Sequence, residues 1–142
     1  MTALVDTNIV LDILLKNNVF IENSRVILEL AEQKRFIGYI SASAITDIFY
    51  ISQKKLGKKA AREAIKHLLH IFYPATVTDM NIYQALDLEW DDFEDSVQFI
   101  VGKGIYADFI VTRNIQDYAL SSINVLSPEQ FIETITKLKN TN

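Results

Sequence analysis

The chain of 142 residues contains no cysteine. That excludes a disulfide framework, a thiolate zinc site and a cysteine nucleophile at once. Glycine and proline are scarce, at 4 and 2 residues, too few for a long disordered or linker-like chain. The two histidines, His67 and His70, stand three apart. They can share a metal at that spacing, but no third nitrogen ligand is visible, and the plainer reading is a pair of surface or boundary residues. No apolar run approaches the roughly 18 residues that span a bilayer. Asp6 and Asp12 interrupt the apolar N-terminal stretch and no basic segment precedes it. Neither a membrane span nor a signal peptide is therefore expected, and the cytosol is the default location.

What remains is ordinary globular composition, 49% hydrophobic and 23% charged. The length suits one domain, expected over residues 1–142. The net charge is −4, and its distribution says more than its sum. The segment from Lys54 to Lys66 holds Lys54, Lys55, Lys58, Lys59, Arg62 and Lys66 against Glu63, a net of +5, leaving −9 on the remainder. An acidic body with one basic segment meets a phosphate backbone only if something positive lies between them, and a bound divalent cation can supply it.

Apolar periodicity alternates between strand and helix. Ala3-Leu4-Val5, Phe36 to Ile40, Ala75 to Thr78, Asp108 to Thr112 and Ile123 to Leu126 read as strands, by β-branched and aromatic content. Helices are expected from the turn Asp6-Thr7-Asn8 onward, over Glu22 to Lys34, and from a Ser41 or Ser43 cap to about Lys55, ending at Gly57. Further helices are expected over Lys58 to Phe72, stopped by Pro74, over Met80 to Leu88 with Asp79 as cap, and over Phe93 to Gly102 begun by Asp91 or Asp92. Ser127 caps the last helix, with Pro128 at its first position. Arg113 to Tyr118 reads as a polar loop. The alternation implies an α/β class with a mostly parallel sheet covered on both faces.

Sites in such sheets form at the carboxyl ends of the strands. Asp6 follows the first strand, Asp47 lies early in the helix after the second, Asp92, Glu94 and Asp95 open the helix before the fourth, and Asn114 and Asp117 follow the fourth. Oxygen donors without cysteine or a well-placed histidine suit a hard cation such as Mg²⁺ or Mn²⁺. Crowded carboxylates repel one another, and a cation relieves that repulsion.

These segments resemble a known family. Met1-Thr-Ala-Leu-Val-Asp-Thr-Asn8 looks like the opening of a PIN domain, a hydrophobic strand ending in Asp-Thr-Asn. Asp92-Phe-Glu-Asp95 with Ser96 resembles that family's third acidic motif, and Ile110-Val-Thr-Arg-Asn114 with Asp117 resembles its fourth. Ser127-Pro-Glu-Gln-Phe131 looks like its closing strand-to-helix step, so the likeness runs to about Ile135. The resemblance implies a three-layer α/β/α fold with a parallel sheet of about five strands. It implies a Mg²⁺- or Mn²⁺-dependent ribonuclease of the VapC-like toxin kind, with RNA as substrate, an antitoxin as partner, and a homodimer. Asp6, Asp47, Asp95 and Asp117 would be the metal-binding acids. Thr7 and Asn8 would support Asp6, and Thr112 and Asn114 would shape the fourth corner. Two departures stand out: Asp47 where many relatives have Glu, and neutral Asn114 where many have Asp, with Asp117 three residues on.

Each residue also has a plainer reading. Asp6 can cap the next helix, Asp92 is expected to cap the helix it precedes, and Glu94 competes with Asp95 for the site. Asp12 and Asp108 suit turns and surfaces, with Asp12 near enough in sequence to join the site rim. Arg113 either contacts phosphate or balances the acids. The basic segment is an RNA-backbone patch, a surface for an acidic partner, or a solvated corner. Trp90 and Tyr83 stack on bases or pack between helices. Two phosphoryl-transfer alternatives fit poorly. A haloacid-dehalogenase-like phosphatase wants a second Asp where Asn8 stands, and a receiver domain wants a Lys after a strand that ends Leu126-Ser127-Pro128. The remaining alternative is a catalytically weak or inactive PIN-like module that binds protein or RNA.

Overall fold

A computed structural model describes residues 1–140, with side chains as far as Leu138. The last two residues of the expected 1–142 domain lie outside the described residues. The chain runs β1 (Thr2–Val5), α1 (Thr7–Leu14), α2 (Ile21–Glu32), β2 (Ile37–Ser41), α3 (Ala42–Leu56), α4 (Lys58–Ile71) and β3 (Tyr73–Ala75). It continues through α5 (Asp79–Asp87), α6 (Phe93–Gly104), β4 (Phe109–Val111), a short 3-10 turn (Ile115–Tyr118), β5 (Asn124–Leu126) and α7 (Pro128–Asn140). The five strands form one sheet in the order β3-β2-β1-β4-β5, and every neighbouring pair is parallel. This is the three-layer α/β/α arrangement read from the sequence.

Period-two alternation in the central strands explains the layers. Ala3 and Val5 of β1 and Val111 of β4 join Ile9, Val10, Ile27, Ile48, Leu68 and Phe131 in one core. Leu4 of β1 and Ile110 of β4 point to the other face and pack with Ala85, Val97, Phe99 and Val101 of α5 and α6. Strands that bury both faces need near-continuous apolar sequence, as Ala3-Leu4-Val5 and Phe109-Ile110-Val111 have.

Most caps follow the sequence. The Ser41 hydroxyl accepts from the Ala44 amide at 3.2 Å, the Asp92 carboxylate from the Asp95 amide at 3.1 Å, and the Ser127 hydroxyl from the Gln130 amide at 3.2 Å. Gly57, at φ 87°, joins α3 to α4 in a conformation that favours glycine. Three expectations need correction. The third strand is Tyr73–Ala75, not Ala75 to Thr78, and includes Pro74. It lies at the sheet edge, where a residue with no amide hydrogen costs no ladder bond. The cap of α5 is Thr78 rather than Asp79, because the Thr78 hydroxyl accepts from the Asn81 amide while the Asn81 side-chain oxygen accepts from the Thr78 amide, completing a capping box. The polar segment after β4 is not all loop, since Ile115–Tyr118 winds into a 3-10 turn and buries Tyr118.

The strand order has a consequence for function. Connections from β1 run outward through β2 to β3, while β4 and β5 lie on the other side of β1. The switch point is therefore between β1 and β4, the place where α/β sheets open a crevice at the carboxyl ends of their strands. Asp6 follows β1 and Thr112 follows β4, and the Asp6 amide donates to the Val111 carbonyl at 2.9 Å, tying the two ends together.

Candidate acidic site at the switch point

Asp6 occupies the N-cap position of α1 with extended backbone, yet its side chain caps nothing. Its Oδ2 accepts instead from the Thr112 hydroxyl at 2.8 Å, with the Asn8 amide and the Tyr118 hydroxyl each at 3.5 Å. Thr112 can give its single hydroxyl proton to Asp6 because its lone pairs take the Asn8 amide at 3.5 Å and the Asn114 backbone amide at 3.1 Å. Burial pushes the Asp6 carboxyl above its usual range, opposed by these donors and the Thr7 backbone amide. The buried Gln98 amide faces Asp6 from α6 and also favours its charge, although its geometry falls short of a hydrogen bond. A carboxylate this enclosed, with donors on one oxygen, is held in place rather than left to solvent.

The opening of α6 carries the next acids. Asp95 is held up at about 7 by burial first, then by the charges of Asp92, Asp6 and Asp117, with a hydrogen bond from Tyr118 working the other way. Glu94 is raised by burial and by Asp47, Asp6 and Asp92. Asp47, exposed on the first turns of α3, lines an open cleft with Thr7, Tyr50, Ile51 and Glu94. Asp117, exposed on the 3-10 turn, lines a second cleft with Trp90, Asp91, Asp92 and Gln116. Asp6, Asp47, Asp95 and Asp117 thus come to one end of the sheet, Asp6 and Asp95 through Tyr118 and the others from two flanks. Glu94 belongs to the same cluster.

Among the described residues, no three acids or histidines stand close enough to form a finished metal cage. The donor chemistry nonetheless fits a hard divalent cation. The ligands available are oxygens, burial and then mutual repulsion raise two of the acids, and the buried Asn8 Oδ1 has no partner. Thr7 Oγ1 is likewise buried and unpartnered beside Asp6.

Other residues go elsewhere. Arg113 turns from the acids to Asp12, with Nε 2.9 Å from Oδ2, and stacks over Phe20 at 4.1 Å. Asp12 is buried, not a turn or surface residue as expected, and also accepts from the Ser24 hydroxyl at 3.2 Å. Asp108 stays exposed and takes the Thr2 amide at 2.9 Å. Asn114 is exposed, and its backbone rather than its side chain shapes the corner, binding Thr112 and accepting from the Asp117 amide at 3.0 Å. Trp90 packs inward, stacked on Phe99 at 5.0 Å and edge-on to Tyr118 at 6.2 Å. His67 and His70 are exposed.

Sequence reasoning missed Tyr118 and Gln98. Tyr118 is 2% exposed and its hydroxyl faces both Asp6 and Asp95, so that burial first and then these charges push its own proton affinity well above normal. The sequence signal was a tyrosine next to the singled-out Asp117. Gln98 was findable as the polar residue three after Asp95 in an otherwise apolar stretch, Val97 to Val101.

Similar folds recur among solved structures. A chain in the crystal structure of VapBC2 from Rickettsia felis bound to a promoter DNA fragment superposes with a TM-score of 0.71, at 16% identity, over 89% of this chain and 98% of that one. One in the DNA-bound VapBC of Salmonella typhimurium gives 0.70 at 13% identity, over 90% and 98%. VapC20 of Mycobacterium tuberculosis, described as a sarcin-ricin loop cleaving toxin, gives 0.62 at 16% identity, over 76% and 86%. No curated protein matches the sequence significantly. The PIN domain family model matches residues 2–116, which takes in Asp6, Asp47 and Asp95 and stops one residue short of Asp117. With its acids gathered where β1 and β4 part, the chain belongs to the PIN domain family.

Proposed function

We propose that the chain is a divalent-metal-dependent endoribonuclease, the toxin component of a toxin–antitoxin pair acting in the cytosol. The observation that carries this reading is the gathering of acids at the switch point, with Asp6 anchored on Thr112 and Asp95, Glu94, Asp47 and Asp117 near enough to disfavour one another's charge. Such an arrangement costs folding stability and is relieved by a bound cation. Asp6, Asp47, Asp95 and Asp117 would hold Mg²⁺ or Mn²⁺, with Glu94 beside them. The metal supplies charge neutralisation at the scissile phosphate and a more acidic water. Thr112, Thr7 and Asn8 fix the Asp6 carboxylate, and Asn114 sets the turn that presents Asp117. A carboxylate of the cluster would take a proton from the attacking water, and Glu94, beside the four proposed ligands and lining the cleft with Asp47 and Thr7, is placed for that role. Arg113 enters this reading as support for α1 through Asp12, not as a phosphate contact.

An RNA substrate is supported by the fold shared with VapC20, and an antitoxin partner by the fold shared with VapBC chains and with a toxin–antitoxin complex from Klebsiella pneumoniae at TM-score 0.65 and 20% identity. Met80, Tyr83 and Leu86 form an exposed apolar stripe on α5, which supports a homodimer contact. Among the described residues, no helix is long and apolar enough to cross a membrane. Neutral Asn114 and the short Asp47 support a second reading, a weak or inactive PIN-like binding module. Cleavage of a mixed RNA pool with Mg²⁺, Mn²⁺ or EDTA, with wild type and Asp6→Asn, separates the two. Metal-dependent cutting lost in the variant supports the nuclease. A folded wild type that neither cuts nor gains thermal stability from metal supports the module.

A further inference from the structure

Asp47, Tyr50, Ile51 and Lys54 are spaced three and four apart on α3, so they share one face. Along that face the chemistry changes from acid to aromatic to base. Asp47, Tyr50 and Ile51 line the cleft that Thr7 and Glu94 close from the other side, a space of about 200 Å³. Tyr50 is 55% exposed, so its ring is open to a ligand at the mouth of that cleft. Lys54 Nζ sits over that ring, 4.2 Å from its centroid. Its neighbour Lys55 is committed differently, donating to the Leu15 carbonyl at 2.9 Å. Beyond Lys54 the exposed basic segment continues through Lys58, Lys59 and Arg62 into α4.

Lys54 Nζ covers a face of the Tyr50 ring in the free protein, and as an exposed, flexible side chain it can swing off that face to a phosphate while a base takes its place on the ring. The cleft also needs that positive charge, because Asp47 and Glu94 repel a phosphate backbone. We infer that Tyr50 and Lys54 form a nucleotide subsite next to the acidic centre, stacking an unpaired base of the RNA on Tyr50 and meeting its phosphate with Lys54. The inference rests on the ribonuclease reading and adds to it two residues that would hold the substrate, Tyr50 for an unpaired base and Lys54 for its phosphate. A paired base cannot reach the ring without leaving its helix. The strand would leave the acids across Tyr50 and Lys54 toward Lys58.

The test is binding of a randomised single-stranded RNA 12-mer pool and of its duplex, followed by fluorescence anisotropy in EDTA at low salt. A second pool carrying 2-aminopurine reports stacking directly. Wild type, Tyr50→Phe, Tyr50→Ala and Lys54→Gln are compared, with cleavage in Mg²⁺ run in parallel. Loss of one stacked base weakens binding roughly 5- to 150-fold, so Tyr50→Ala should lose about 10-fold for single strands and Tyr50→Phe should keep wild-type affinity. Quenching of 2-aminopurine should vanish in Tyr50→Ala alone. Lys54→Gln should lower the slope of log K against log salt by about 0.7, the value of one phosphate contact on a single strand. Wild type that cuts RNA while all variants bind and quench alike overturns the subsite and leaves the nuclease standing. The same holds if duplex binds as tightly as single strand, or if the face proves to serve an acidic protein segment and leaves RNA binding unchanged. Wild type that neither binds nor cuts overturns both readings.

Discussion

Replacing Asp95 with asparagine should make the metal-free protein more stable. The Asp95 carboxyl is ordinarily near 3.8 and is raised to about 7 in the folded chain. A raised acid binds its proton more tightly when folded, so folding loses stability as pH rises from about 4 to 7, and the loss is complete above that. Three units correspond to a ceiling of about 4 kcal/mol at pH 8. Asp95 is half-buried, so solvent screening cuts this to about 2 kcal/mol. Loss of a negative charge from the first turn of α6 removes a further few tenths up to about 1 kcal/mol of helix-dipole stabilisation. The net gain is about 1–2 kcal/mol at pH 8, or roughly 5 °C in Tm for a chain of this size. At pH 4, where wild-type Asp95 carries its proton and offers the helix dipole no charge, the gain falls to about half a kcal/mol at most. Thermal unfolding in EDTA at both pH values measures the difference. Asp95→Asn that is less stable than wild type at pH 8, or equally stabilised at both pH values, refutes the claim that burial and charge crowding strain this site.

The remaining predictions concern the supports of the site and the fold. Adding millimolar Mg²⁺ should raise the Tm of wild type with rising concentration, as for any ligand that binds only the folded state. Asp6→Asn should abolish that rise, read by the same melting assay. Tyr118→Phe should leave Asp6 and Asp95 without a shared donor and reduce cleavage at least several-fold while secondary structure by circular dichroism is retained. Asp12→Ala should cost about 3 kcal/mol in urea unfolding, because it strands the Arg113 charge in a largely buried place. Gly38→Ala should cost about 1–3 kcal/mol in the same assay, since a Cβ there would come within 2.5 Å of the buried Phe72 ring.

The layered fold was legible because β1 and β4 are short and apolar on both faces, and because Ser41, Asp92 and Ser127 are capping residues at helix starts. The third strand was harder to place. Pro74 signals a break along a single chain, and only the sheet order shows that Tyr73–Ala75 lies at an edge where proline is tolerated. Asp6 was legible as a candidate for the site because Thr7 and Asn8 beside it are alternative caps. In the structure no side chain of the turn is needed to cap α1, and Asp6 turns to Thr112, 106 residues away. Contacts over that separation leave no local pattern. The same applies to Arg113, whose sequence neighbours are site residues but whose partner, Asp12, lies on another helix face. Tyr118 was hidden because a polar segment such as Asn114 to Asp117 gives no sign that a 3-10 turn will bury the ring that follows it.

The central claim is that the acids at the β1–β4 switch point work together as a metal-dependent phosphodiesterase site. Its most direct test is cleavage of a pool of structured and single-stranded RNA by wild type, Asp6→Asn and Asp95→Asn in Mg²⁺, Mn²⁺ and EDTA. The account predicts cutting by wild type in Mg²⁺ or Mn²⁺, none in EDTA, and loss in both variants although both remain folded. Cutting that persists in EDTA, or that survives either substitution, would contradict it.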